Sequence, residues 1–315
     1  MSLPMLGNLA RTTLWSLAVV ATAGLLCVAY GIVIERRWYR LADYVVPIPS
    51  IASGSLRILH VSDLHFVRSD RAKARFLAAL PRPDIAVVTG DILGEPEAVQ
   101  SSVAALREVR GRLGSYFVLG SNDYYAPKPL NYLVYFRRRR RHRPGRRSRD
   151  AELRAMLEAD GWQYLANRRA SLSRDGLRME LVGLDDPHIE RHDLRVAIRT
   201  DSGALGIAVV HSPDPAPELA ALGYDLILTG HTHGGQVRMP LVGALVTNST
   251  IPTRLCMGMS RVGRTYLHVS PGLGTSKFAP FRFLCRPEAT VLDLVPEEDP
   301  AQDERSATTR SNAAS

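Results

Sequence analysis

Cysteine is scarce in this chain: Cys27, Cys256 and Cys285 are its three among 315 residues. They form neither a disulfide framework nor a C-x-x-C pair of the kind that holds zinc or runs redox chemistry. Cys27 lies in an apolar run, which leaves Cys256 with Cys285 as the one sensible bridge and says little about compartment. Internal repeats are missing too. Apolar material is not: hydrophobic residues make up 45% and charged residues 23%. These values are near globular averages and exclude wholesale disorder. The length allows one large α/β domain or two smaller ones.

Two local absences say more. Residues 12–34, TTLWSLAVVATAGLLCVAYGIVI, carry no charge. As a helix rising about 1.5 Å per residue they reach roughly 34 Å, enough for a bilayer core. Arg11 precedes the run, and Arg36, Arg37, Trp38, Tyr39 and Arg40 follow it, a composition suited to a headgroup belt. A cleaved signal peptide has an apolar region of about 7 to 15 residues ending in small residues. Here the run is longer, and Ala21-Thr22-Ala23 falls inside it. Leu26 before Cys27 argues against a lipoprotein site. A retained single-pass anchor in the cell membrane is expected, with residues 1–11 as its flank. The arginines after the run outnumber Arg11, which leans the following domain towards the cytoplasm.

The second absence is of acid. Residues 137–149, RRRRRHRPGRRSR, hold nine arginines and no carboxylate. The chain has 40 basic and 31 acidic residues, net +9; without those nine arginines the remainder is neutral, 31 against 31. A distributed basic face of the kind that binds nucleic acid is therefore not expected. The stretch reads as a solvated insertion or as a contact with anionic lipid, at about 1 kcal/mol per arginine near the surface. Tyr132, Tyr135 and Phe136 lead into it and suit the interface.

Residues 35–55, with Pro47, Pro49 and Gly54, read as a juxtamembrane linker. Beyond them come short apolar runs that read as buried strands: RILHVS (57–62), DIAVVTG (84–90), SYFVLG (115–120), MELVGL (179–184), ALGIAVV (204–210), YDLILTG (224–230), TYLHVS (265–270) and ATVLDL (289–294). Helical segments are expected over 70–80, 95–109 and 150–160. The pattern predicts a layered α/β domain with a two-sheet core over 56–295. A disordered tail is expected over 296–315.

Several of these strands stop at metal-ligating residue types. Asp63 and His65 follow the first, Asp91 the second, Asn122 and Asp123 the third. His211 follows V-V, and His231 and His233 stand in GHTHGGQ (230–236). Residues at the carboxyl ends of strands converge on one sheet edge. Carboxylates, imidazoles and a carboxamide suit two divalent cations, and with Asp91 bridging they hold a pair about 3.5–4 Å apart. A lone Asp at a strand end is usually a turn or cap. Two histidines at i, i+2 among three glycines have little structural reason to exist. Asp185-Asp186-Pro187-His188 follows a strand and either borders the cleft or forms a capped turn. Gly272-Leu273-Gly274-Thr275-Ser276 either offers N–H groups to phosphate or packs a strand end. His60 and His268 read as core residues.

Asp63-Leu-His65, Gly-Asp91, Gly-Ser-Asn122-Asp123, His211 and Gly-His231-Thr-His233-Gly-Gly-Gln together resemble the calcineurin-like metallophosphoesterase superfamily, over residues 57–294. V-S-P-G-L-G-T-S (269–276) with R-P-E (286–288) resembles its membrane-associated bacterial branch, the YkuE-type and YaeI-type phosphodiesterases. The resemblance implies a four-layer α/β/β/α sandwich with two divalent ions, often Mn, Fe or Zn. Asp63, His65, Asp91 and His233 would hold one ion, and Asp91, Asn122, His211 and His231 the other. The family pattern Gly-Asn-His-Asp/Glu is broken here. Without a gap Ser121 falls on its Asn and Asn122 on its His. With a one-residue slip Asn122 regains the ligand place and Asp123 falls on the His. The slip is preferred, since a carboxamide oxygen binds a cation better than a neutral hydroxyl. Asp123 then becomes a candidate acid for the leaving group, provided burial or charge raises its pKa.

The expected activity is phosphodiester hydrolysis by metal-activated hydroxide, on a lipid-linked or nucleotide phosphoester. The alternatives are a weakened relative that binds a phosphorylated ligand as sensor or scaffold, and a nuclease.

Overall fold

The computed structural model describes residues 3–68, 70–128 and 145–297. Most of the arginine-rich stretch, with Tyr132, Tyr135 and Phe136, lies outside the described residues, as does the tail from residue 298. The chain opens with helix α1 (Leu3–Val33), whose leucines and valines from Leu14 onward face outward, Leu25 being 71% exposed. The segment Arg11–Arg37 is long and apolar enough to cross a membrane.

The strands are β1 (Arg40–Ile48), β2 (Leu56–Val61), β3 (Ile85–Thr89), β4 (Gly114–Val118), β5 (Gln163–Tyr164), β6 (Arg168–Arg174), β7 (Leu177–Gly183), β8 (Leu205–Val209), β9 (Leu226–Thr229), β10 (Arg238–Met239), β11 (Gly243–Ala244), β12 (Gly258–Val262), β13 (Thr265–Val269) and β14 (Glu288–Pro296). Between them run α2 (Arg71–Ala78), α3 (Val99–Arg107), the single turn α4 (Ser121–Tyr124), α5 (Asp150–Ala159) and α6 (Ala216–Ala221). One six-stranded sheet has the order β1-β14-β2-β3-β4-β5, and a second β12-β13-β9-β8-β7-β6. β10 and β11 form a separate hairpin.

Strand parity explains the layers. Successive side chains point to opposite faces of a sheet. In β2 and β3, Ile58, Ile85 and Val87 enter the core between the two sheets, while Leu59, Val61, Ala86 and Val88 enter the core under α2, α3 and α5. In the second sheet Leu205, Ile207, Val209, Leu226 and Leu228 face the first sheet, and Ala208, Ile227 and Leu267 face α6. Both faces are covered, so the strands read as continuous apolar runs, as parallel strands do. The result is the expected α/β/β/α arrangement.

The expected linker is corrected in part. Residues 40–48 form β1, paired in parallel with β14 from Arg40–Glu288 to Ile48–Pro296. Val46 and Ile48 are buried between the sheets. Pro47 made this stretch look like a turn; on an edge strand its missing N–H costs no ladder bond. The sheet therefore begins seven residues after α1. β6 and β12 also escaped the sequence reading, because edge strands rich in Arg and Ser lack an apolar run.

Candidate metal centre

Parallel strands β2, β3 and β4 of one sheet and β8 and β9 of the other bring their carboxyl ends to a common edge. Asp63, His65, Asp91, Asn122, His211, His231 and His233 all follow those ends. Five of the seven, Asp63 (φ 47°), His65 (φ 43°), Asp91 (φ 49°), His231 (φ 68°) and His233 (φ 51°), take left-handed backbone conformations. Non-glycine residues adopt these uncommonly, and such strain clusters at functional sites.

Two groups of donors result. Asp63, His65 and His233 offer ligand atoms within 4.8 Å of one another, and so do Asp63, Asp91 and His211. Asp91 faces both sides: its Oδ1 is 3.6 Å from His211 Nε2, and its Oδ2 is 3.6 Å from His65 Nε2. Asn122 fixes this carboxylate, donating from its backbone N–H to Oδ1 at 2.8 Å and from its amide Nδ2 to Oδ2 at 2.5 Å. Asp63 Oδ2 accepts from Ser62 Oγ at 2.6 Å and from the His231 N–H at 2.9 Å. Its Oδ1 has no hydrogen-bond partner although it is buried, and lies 3.4 Å from His233 Nε2.

Hydrogen-bond direction decides what the histidines do. His211 Nδ1 lies 2.6 Å from the Thr89 carbonyl, and His231 Nε2 lies 3.1 Å from the Asn248 carbonyl. A carbonyl only accepts, so both of these nitrogens carry hydrogen. The remaining nitrogens, His211 Nε2 and His231 Nδ1, face each other at 3.3 Å. In neutral rings both present lone pairs, and a proton or cation must lie with them. This outer-carbonyl tether is how ligand histidines are held. Gly120 leaves the necessary space: a Cβ there would strike Asp91 Oδ1 and the His211 ring.

The charges agree. Burial pushes His65 down to about 4, and burial with His211 pushes His231 down to about 3. Burial acts against the charge of His211 too, but Asp91, Asp186 and Asp63 outweigh it and raise its pKa to about 9. Burial also opposes ionisation of Asp91, yet His211, His65 and the Asn122 hydrogen bonds hold it below the usual carboxylate range. The pocket favours positive charge among its carboxylates, and its donors fit divalent cations.

Asp123 does not stand at the cleft. It is fully buried, accepting from the Leu93 N–H at 2.8 Å through Oδ1 and from the Gly120 N–H at 3.0 Å through Oδ2. Burial and Asp91 raise its pKa to about 8, as the acid role required. Both oxygens nevertheless accept from backbone N–H groups, which favours a structural role over that of leaving-group acid. The slip is better explained by structure: Asp123 caps α4 and presents Asn122 to Asp91. The Gly272–Ser276 turn packs too, with Leu273 and Gly274 donating to the Ser62 and Asp63 carbonyls.

Asp186 and His188 do border the cleft. Asp186 is buried, which raises its pKa to about 7. The His188 ring lies 4.6 Å from that of His231. Arg282 was missed altogether. It is fully buried, with Nη2 at 2.7 Å from the Pro271 carbonyl, 2.6 Å from that of Gly274 and 3.4 Å from His233 Nδ1. An isolated arginine in FAPFRFL gives no periodic cue. Cys256 and Cys285 are both buried and free, so the one sensible bridge is not formed. His60 and His268 are core residues, as expected.

The profile of the calcineurin-like phosphoesterases matches residues 56–235. An uncharacterized metallophosphoesterase of Bacillus subtilis, YkuE, is 27% identical over 278 residues, covering 84% of this chain and 88% of that protein. The phosphodiesterase YaeI of Escherichia coli is 24% identical, covering 83% and 90%. A bovine transmembrane protein with a metallophosphoesterase domain is 30% identical, covering 76% of this chain and 53% of that protein.

Proposed function

The chain belongs to the calcineurin-like phosphoesterase family and is a metal-dependent phosphoester hydrolase, and we propose that it is a membrane-anchored phosphodiesterase working with two divalent ions. The pair of opposed nitrogens on His211 and His231, each ring tethered outward to a carbonyl, carries this reading. Asp63, His65, Asp91 and His233 would hold one ion, and Asp91, Asn122, His211 and His231 the other. Mn, Fe or Zn suits these donors. Bound divalent ions supply Lewis acidity, which activates water as a nucleophile and offsets phosphoryl charge.

The chain's own residues do the rest. Asn122 holds Asp91 with an oxygen towards each donor group, and its carboxamide oxygen remains for a cation. Ser62 and the His231 N–H aim the free oxygen of Asp63 inward. His188, next to His231, binds a phosphoryl oxygen on the side where the motif histidine is missing. With Asp123 tied to backbone, the leaving group takes its proton from solvent. Relatedness to the phosphodiesterase YaeI supports a diester. The helix α1 serves as anchor, and the arginine excess after it leans the domain towards the cytoplasmic side.

The test is hydrolysis of bis(p-nitrophenyl) phosphate with Mn²⁺, alongside metal analysis. Asp91→Asn and His231→Ala should lose activity by about a thousandfold, the scale on which a metal ligand matters. Full activity in both would sink the assignment.

A further inference from the structure

The apolar helix α1 does not end on a free tether. The Arg282 N–H reaches the Gly31 carbonyl at 3.3 Å, and a Cβ on Gly31 would strike the Arg282 carbonyl. Tyr30 meets Phe283 edge to face at 6.4 Å. Just beyond the helix, buried Glu35 accepts the Cys285 N–H at 2.5 Å, and Arg36 donates to the Pro280 carbonyl at 3.3 Å. Arg282 is the same residue whose guanidinium stands beside His233. One buried side chain thus separates the end of the apolar helix from a candidate metal ligand.

The hairpin β10–β11 is strapped to the same segment. The Phe283 carbonyl accepts the Arg238 N–H at 2.9 Å, and the Phe283 N–H reaches the Gln236 carbonyl at 3.0 Å. Gly235, with φ 80°, lets the hairpin lie against the turn that carries His231 and His233; a Cβ there would strike Ala244. The tip of this hairpin is apolar and uncovered. Met239, Leu241, Val242 and Leu245 are four of the nine large exposed apolar side chains described beyond Ile34, and Leu284 follows the Phe283 that straps the hairpin. Such clustering marks an interaction surface, unlike apolar residues scattered singly. Leu241 is fully exposed at φ 65°, inside a tight turn closed by the Val242 N–H on the Pro240 carbonyl at 2.8 Å. A leucine held outward in a left-handed conformation has no packing role within the chain.

We propose that the 238–244 hairpin inserts its tip into the bilayer that α1 spans, so that the metal centre opens at headgroup level and takes phosphoesters of membrane amphiphiles. The proposal rests on the anchor and hydrolase reading above. The bilayer is the occupant because the patch is continuous, through Phe283 and Arg282, with the end of the spanning helix. Exposed Arg37, just beyond the helix, suits anionic headgroups.

The test uses the full chain in phosphatidylcholine–phosphatidylglycerol vesicles. A nitroxide at Leu241→Cys, in a Cys27→Ser background, should be accessible to oxygen and shielded from a water-soluble nickel chelate. A nitroxide at Asp175→Cys, on the β6–β7 turn, should behave oppositely. In parallel, the double variant Leu241→Asp/Val242→Asp should hydrolyse bis(p-nitrophenyl) phosphate within about twofold of wild type. It should lose at least about tenfold on dioleoylphosphatidyl-p-nitrophenol in vesicles. A water-exposed nitroxide at 241, or no selective loss on the vesicle-borne ester, overturns the proposal. If wild type cleaves neither ester, the phosphodiesterase reading fails and the nitroxide depth alone decides the hairpin.

Discussion

Two of the imidazole pairs among the described residues do opposite things. His60 on β2 and His268 on β13 meet between the sheets, Nδ1 to Nδ1 at 2.8 Å, with His60 Nε2 at 2.8 Å from Thr89 Oγ1. His211 and His231 meet at 3.3 Å at the sheet edge. All four side chains are enclosed. The Thr89 hydroxyl both donates and accepts, so the core pair settles into a chain of ordinary hydrogen bonds with one hydrogen per ring. The carbonyls of Thr89 and Asn248 only accept, so each ring of the edge pair has a hydrogen drawn outward, and a proton or cation must lie between the two inner nitrogens. Burial of a histidine says nothing by itself about metal binding; the direction of its outer hydrogen bond does.

The contrast yields experiments that would break or sharpen it. The largest effect belongs to the edge pair. His211→Ala should abolish measurable diesterase activity and reduce bound metal. The core pair should show the reverse. His60→Ala leaves a cavity and unpaired polar groups and should cost about 3 kcal/mol in denaturant unfolding, with metal content retained. If His60→Ala loses metal and keeps stability, the distinction is wrong.

Acid sharpens the same contrast. Burial holds His268 down at about 3. Below about pH 6.5 the unfolded chain takes up a proton there that the native state refuses, so stability is complete above that pH and lost as pH falls. Replacing the ring by Leu should flatten the acid limb between about pH 6.5 and 3 by up to about 1.4 kcal/mol per pH unit, read from unfolding at several pH values.

Asp123 gives a smaller test. Asp123→Asn sets an NH₂ group against a backbone N–H and should cost about 2 kcal/mol of stability. The shape of the pH–rate profile should stay as in wild type; loss of its basic limb would restore Asp123 as the acid. The smallest effect is expected for His188→Ala, a fall of about tenfold in kcat/KM with both metals retained. An unchanged kcat/KM would remove His188 from the substrate site.

Much of the candidate site was legible because its donors are of unusual residue types at the ends of plainly apolar strands. Asp63, His65, Asp91, His211, His231 and His233 needed no partner to be noticed. What Asp123 does depends on contacts its identity does not show. The identity of a carboxylate does not reveal which N–H groups claim its oxygens: Gly120 stands three residues upstream, but Leu93 lies on another segment. β1 was read as linker because Pro47 is punctuation in a turn and harmless on an edge.

The sequence by itself determined the apolar span, the alternation that makes two buried sheets, and the inventory of donors. Those follow from local chemistry: charge, period and residue type. Tertiary structure alone decided that α1 docks on Arg282 and that Asp186 and His188 join the edge. It also decided that Leu241 is displayed beside the helix end, and that two histidines turn their inner nitrogens towards each other. These depend on contacts between residues far apart in the chain, for which no local pattern is required.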